Sequence, residues 1–128
     1  MVSKKSIYKC PLCGNVVESL WNGTGSVLVC CGKEMIELKA NTTDASQEKH
    51  VPVIERSGTK VTVKVGSVAH PMTAEHYILF VELLAGEKVL RHDFKEGDTV
   101  AEAVFYVEEG VAVQAREYCN LHGLWGTK

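Results

Sequence analysis

Near its end the chain reads Arg-Glu-Tyr-Cys-Asn-Leu-His-Gly over residues 116–123, which sets Cys119 three positions before His122. Gly123 follows at once, and two ring residues, Tyr118 and Trp125, stand close by. A thiol and an imidazole at that spacing form half of a metal site or an accident of sequence. Four more cysteines lie in the first quarter of the chain: Cys10, Cys13, Cys30 and Cys31. Cys10-x-x-Cys13 spans a tight turn that lets both sulfurs face one ion, and Gly14 after it is free to take a positive φ. The adjacent pair Cys30-Cys31 is unusual, because neighbouring side chains on a strand point to opposite faces. Both reach one ion only if the chain turns there, and Gly32 permits that turn. The pattern fits the four-thiolate sites of zinc ribbons and of rubredoxin-type iron, with zinc favoured by spacing alone. A vicinal disulfide is a third option, disfavoured in a reducing compartment.

The chain has five histidines, His50, His70, His76, His92 and His122, all beyond the cysteine-rich quarter. Singly, a histidine is more often a surface or hydrogen-bonded residue than a ligand. Four of them have contexts that differ from this. His50 ends a polar run where a strand begins, His70 and His76 bracket Pro71 and Met72 on a connection, and His122 lies beside Cys119. His92 occupies an ordinary strand position between charges and reads as a surface residue. Four imidazoles and one thiolate exceed the usual four ligands of zinc. They fit an ion that prefers six positions, with one left open for a small oxidant, and redox-active iron suits that donor set.

Elements must hold these residues in place. At 128 residues, 45% hydrophobic, 23% charged and net charge −2, the composition is that of a globular protein of one domain, or of one domain and a small appendage. That balance excludes a strongly basic nucleic-acid footprint. No apolar run resembles a signal peptide or reaches membrane-spanning length, so a cytoplasmic protein without membrane or nucleic-acid partners is expected. Residues 1–37 read as a metal-clipped module, too small for a sufficient apolar core. Residues 38–49 read as a linker and active-site loop, polar and aperiodic. From residue 50 onward, short alternating runs such as KVTVKV, YILFVELL and VAVQAREY are punctuated by SGTK, AGE, KEGD and EEG. Such runs predict an antiparallel sandwich, immunoglobulin-like in outline.

YKCPLCG, CCG-x-x-M, EKHVPVIE, KVGSVAHPM, EH and REYCNLHG occur in this order across nearly the whole chain. Together they resemble the desulfoferrodoxin family, the two-iron superoxide reductases. The resemblance implies a mainly β protein: a small desulforedoxin-like, rubredoxin-like iron–cysteine domain followed by an immunoglobulin-like β-sandwich. It implies two irons per chain, one held by Cys10, Cys13, Cys30 and Cys31 in a distorted rubredoxin-like site. His50, His70, His76 and His122 become equatorial ligands of the second, with Cys119 axial. The family's lysine–glutamate pair falls on Lys49 and Glu48.

The implied reaction is one-electron reduction of superoxide to hydrogen peroxide without release of dioxygen, fed by an external donor such as a rubredoxin-like protein. A homodimer is expected from the same resemblance. Lys49 would attract superoxide and assist protonation, and Glu48 would supply a carboxylate to the oxidised centre. Two other classes compete from the residues alone: a non-catalytic zinc-ribbon and β-sandwich binding module, and a simple electron carrier. An iron oxygenase expects two histidines and a carboxylate, which fits poorly.

Overall fold

The computed structural model describes residues 2–43, 50–67 and 70–127. The chain divides into two compact units, Met1–Lys39 and Ala40–Lys128. Among the described residues there is no helix; every regular element is a strand.

The first unit carries β1 (Ile7–Lys9), β2 (Val16–Glu18), β3 (Val29–Cys30), β4 (Lys33–Glu34) and β5 (Ile36–Leu38). Three of them form an antiparallel sheet in the order β2-β1-β5, and β3 and β4 form a separate hairpin. Ile7, central in that sheet, is buried and sits opposite Glu18 on one side and Leu38 on the other. The polar run that reads as a linker thus begins inside the sheet, since Glu37 and Leu38 pair with Tyr8 and Ile7. Buried apolar side chains are few here: Val2, Ile7, Tyr8 and Cys10. So small a core needs a further clip to hold the unit together.

The second unit carries β6 (Pro52–Ser57), β7 (Lys60–Val65), β8 (Ile78–Ala85), β9 (Lys88–Asp93), β10 (Glu102–Tyr106), β11 (Val113–Cys119) and β12 (Gly123–Gly126). They form two antiparallel sheets, β10-β7-β6 and β12-β11-β8-β9. This three-plus-four arrangement is the sandwich that the alternating runs predict. Val61, Val63 and Val65 of β7 face the core with Ala103 and Phe105 of β10. Val81, Leu83 and Ala85 of β8 and Ala115 and Cys119 of β11 belong to the same core. On β7 and β10 the side chains between them are more exposed, which is the period of two expected of a pleated strand with one buried face. On β8 and β11 the alternation is broken by the buried Glu82, Glu117 and Tyr118. In this unit the element absent from the sequence reading is β12, a four-residue strand of two glycines, a leucine and a tryptophan that pairs with β11 from Arg116 to Cys119.

A register shift at Tyr118/Cys119 interrupts the β11–β8 ladder. Tyr118 lies opposite Phe80 while Cys119 lies opposite Ile78, so Leu79 is the extra residue on β8. Such bulges re-aim side chains at the end of a strand. Here it brings Ile78 onto the core side beside Cys119, both fully buried.

Candidate metal centres

In the first unit four thiol sulfurs, those of Cys10, Cys13, Cys30 and Cys31, lie within 4.8 Å of one another. Cys10 and Cys13 lie on a knuckle after β1. Its chain reversal is closed by Gly14 N–H donating to Cys10 O at 3.1 Å, with Gly14 at φ 78°. The Cys13 amide donates back to the Cys10 sulfur at 3.4 Å. The problem of adjacent cysteines is solved at the β3–β4 turn, where Cys31 and Gly32 both take left-handed φ, 54° and 71°. Two consecutive positive φ values make the tight hairpin turn that reverses the chain within two residues. Cys31 is therefore no longer an alternating strand residue, and its sulfur lies 4.0 Å from that of Cys30. Cys13 Sγ comes within 3.7 Å of Cys30 Sγ.

The protons of this group show what it is built to hold. The Cys13 backbone N–H lowers the Cys10 thiol to about 6, against desolvation and with help from the Leu12 N–H. Cys30 is pushed up to about 12, first by the Cys13 thiol and then by Cys10. Cys31 is also raised, chiefly by the Cys13 thiol. Four thiols so close together cannot all ionise alone, because the first thiolate repels the next. A cation among them inverts that order and deprotonates all. The donor set thus fits a thiophilic metal ion.

The second group is assembled from four segments. His50 immediately precedes β6, His70 and His76 lie on the connection from β7 to β8, Cys119 ends β11, and His122 ends the three-residue loop to β12. Gly123, at φ 86°, opens β12 in the left-handed conformation that three-residue hairpin loops require. That loop carries His122 back over the strand end, so Cys119 Sγ and His122 Nδ1 lie 3.7 Å apart. This is the structural reason for the Cys-x-x-His spacing. Donor atoms of His50, His76, Cys119 and His122 all lie within 4.8 Å of one another.

His70 stands outside that set of four atoms, yet it completes a ring of imidazoles. Ring centroids are 4.8 Å apart for His50–His70, 4.6 Å for His70–His76, 5.0 Å for His76–His122 and 4.7 Å for His122–His50. The diagonal from His50 to His76 is 6.4 Å. Near-equal sides with a longer diagonal describe a square of four rings, each edge-on to the next. Cys119 is fully buried and belongs to the sandwich core, whereas His122 is exposed. One end of the group is therefore enclosed and another reaches the surface.

Nδ1 of His70 lies 2.8 Å from the Pro71 carbonyl. A carbonyl only accepts, so Nδ1 carries the proton and Nε2 keeps its lone pair, the arrangement found in ligating imidazoles. Nε2 of His50 and Nδ1 of His122 face each other at 3.0 Å. Four imidazole rings disposed in a square with one thiolate do not suit tetrahedral zinc. They fit iron, which takes more ligands and accepts both donor types.

Trp125 supports this group from β12. Its indole stacks on His50 at 4.8 Å and 18°, and its Nε1–H donates to the His122 carbonyl at 3.0 Å. Spacing along the chain marks Trp125 only as a nearby ring, because its partner His50 lies 75 residues earlier by the numbering. His92 stays on the surface of β9, beside Phe94 at 4.8 Å, away from the group. Glu48 and Lys49 lie outside the described residues.

An all-thiolate group in a small clipped unit and an imidazole–thiolate group on a β-sandwich define a non-haem metalloprotein with two centres. Known proteins agree with that class. Residues 42–128 match the family described as Desulfoferrodoxin, and residues 3–38 match Desulfoferrodoxin, N-terminal domain. A desulfoferrodoxin of Syntrophotalea carbinolica is 52% identical over 128 residues, covering 100% of this chain and 99% of its own. A superoxide reductase of Pyrococcus horikoshii is 38% identical, over 71% of this chain and 94% of its own. The crystal structure of the superoxide reductase from Treponema pallidum superposes with a TM-score of 0.79 at 34% identity, covering 96% of this chain and 97% of that one. The chain belongs to the desulfoferrodoxin family, and its two donor groups match that family's two-iron arrangement.

Proposed function

We propose that this protein is a superoxide reductase, an oxidoreductase that reduces superoxide by one electron to hydrogen peroxide and releases no dioxygen. The observation that carries the reading is the square of four imidazoles joined to Cys119, enclosed at the thiolate and open at His122. Relatives named superoxide reductase support it. The reaction consumes one superoxide, one electron and two protons for each hydrogen peroxide. Iron bound at the second group supplies the electron.

The chain's own residues have distinct parts in this reading. His50, His70, His76, His122 and Cys119 would hold the second iron, with the thiolate at the buried end of the group. Cys10, Cys13, Cys30 and Cys31 hold the first. Lys49, next in sequence to His50, attracts the anion and helps deliver a proton. Glu48 provides a carboxylate beside the same site. In domain terms, residues 1–37 form the four-cysteine iron domain, residues 38–49 the linker and active-site loop, and residues 50–128 the reductase domain.

Each turnover requires an electron from outside, which a rubredoxin-like carrier supplies as part of an electron-transport chain. A cytoplasmic setting for superoxide detoxification belongs to the same reading. A homodimer is also part of it, carried by the family resemblance. Among the described residues no helix is long and apolar enough to cross a membrane.

The test is iron per chain together with product stoichiometry. Protein purified anaerobically should carry two irons and convert each superoxide to one hydrogen peroxide with no dioxygen. Zinc in place of iron, or dioxygen evolved in step with peroxide, refutes the reading. Capture should also slow as ionic strength rises, and more weakly so in Lys49→Ala.

A further inference from the structure

We propose that Asn120 is a positioning residue for the second centre: its carboxamide fastens the segment bearing His76 to the turn bearing Cys119 and His122. The proposal rests on the reading above that these three residues ligate iron.

His76 reaches the group from a connection, with no strand of its own to fix it. That connection closes on itself first. Thr73 N–H donates to the His76 carbonyl at 2.9 Å, and His76 N–H donates to Thr73 Oγ1 at 3.1 Å. This small turn fixes the shape of the segment around His76, but it does not tie the segment to the rest of the site.

Asn120 makes that tie with three hydrogen bonds that bracket His76. Tyr77 N–H donates to Asn120 Oδ1 at 2.9 Å, and Asn120 Nδ2 donates to the Glu75 carbonyl at 3.0 Å. The Asn120 amide donates to the Tyr77 carbonyl at 3.1 Å. The residues before and after His76 are therefore both held by the residue that follows Cys119. Two of these bonds need the side chain, and they need opposite roles of it. An N–H only donates and a carbonyl only accepts, so the carboxamide orientation is unambiguous and only an amide satisfies both. Aspartate has the acceptor without the donor, serine is too short to reach both partners, and glutamine is longer by one methylene. A surface asparagine in a loop ordinarily bonds its own backbone a residue or two away. This one bridges 43 and 45 residues of sequence, to both neighbours of one ligand. Residues that orient ligands from outside the coordination shell typically change metal affinity by roughly 10- to 100-fold when replaced.

The experiment compares wild type, Asn120→Ala, Asn120→Asp and His76→Ala, each as the full chain loaded with iron at both centres. Release of iron to a chelator and the ferric absorption and electron-paramagnetic-resonance spectra of the second centre are recorded. The four-thiolate iron in the same molecule reports whether the chain is otherwise intact. Asn120→Ala should release second-site iron roughly 10-fold faster or more and shift the ferric spectrum, with the first centre unchanged. Asn120→Asp, which keeps the acceptor for Tyr77 N–H, should fall between; if Asn120→Ala does not fold, this variant decides. A wild-type spectrum and release rate in both Asn120 variants, while His76→Ala alters both, overturns the proposal. A lowered melting temperature with an unchanged ferric spectrum overturns it too, as it leaves only a structural role. Wild-type protein that takes iron only at the four cysteines, or a second-centre spectrum indifferent to His76→Ala, overturns the underlying reading and the proposal with it.

Discussion

Trp125 and His50 lie face to face, 4.8 Å between ring centroids and 18° between planes, although one begins the sandwich and the other ends it. The same indole donates its Nε1–H to the His122 carbonyl. One side chain thus sets the tilt of one imidazole and the backbone of another. The two functions separate by substitution. Trp125→Phe keeps a stacking ring and loses the donor, whereas Trp125→Ala loses both. Iron affinity at the second centre should fall little in the first variant and roughly 10- to 100-fold in the second, measured by competition with a chelator. Equal affinities in all three proteins would show that the stack does not orient His50.

The thiols of the first unit titrate in an order that pH reveals. Cys10 is lowered from 9.0 to about 6 in the folded unit, chiefly by the Cys13 amide. Between those values the folded form binds fewer protons than the unfolded form. The contribution to folding is therefore fully present above pH 9.0 and is lost as pH falls through about 6. Iron-free protein should show a first thiolate absorbance step near pH 6, absent in Cys10→Ser. A first step only near pH 9 in the unsubstituted protein rejects the role given to the Cys13 amide.

The left-handed pair Cys31–Gly32 makes a second local prediction. A side chain at position 32 meets no neighbour, so space is not the obstacle, but its φ of 71° is costly for any residue with a Cβ. Gly32→Ala should cost about 1 kcal/mol or more. Because the turn is what aims Cys31 at the other sulfurs, iron retention at the first centre should drop as well. Absorption of the four-thiolate ferric site checks this, with the second centre as an internal reference.

Much of this was legible in the sequence, and the misses share a cause. The cysteine knuckle follows from local spacing, and the core strands follow from alternation, because both signals are confined to a few residues. Glu82 is harder: it sits inside YILFVELL, where an acidic residue reads as an outward, solvated position, yet it is almost fully buried. The strand β12 has too few side chains to alternate. The cyclic order His50–His70–His76–His122 depends on how three separate connections close, and no local pattern encodes that order. The adjacent cysteines required a turn, which the sequence places at Gly32; the left-handed φ of Cys31 itself became plain only in three dimensions. Trp125 and Asn120 escaped for the same reason as the ring order: their partners lie 75 and about 44 residues away in the numbering.

Glu82 has a specific partner. Arg116 Nε meets its Oε1 at 2.6 Å across the β8–β11 ladder, with the two side chains 13% and 1% exposed. The pair lies on the strand that delivers Cys119 three residues later. Burying two charges is expensive, so the pair itself contributes little net stability, but removing one partner abandons a charge in the interior. Arg116→Leu should therefore destabilise the sandwich by about 3–5 kcal/mol in chemical denaturation. Replacing both residues with leucine should recover most of that loss, since neither charge of the pair is then left without the other. The double variant also separates stability from function: if the pair only supports the sheet, restored folding should restore iron binding at Cys119. If folding returns and the ferric spectrum does not, the ion pair also fixes the placement of the β11 end, and the sheet charge belongs to the machinery that aims the thiolate.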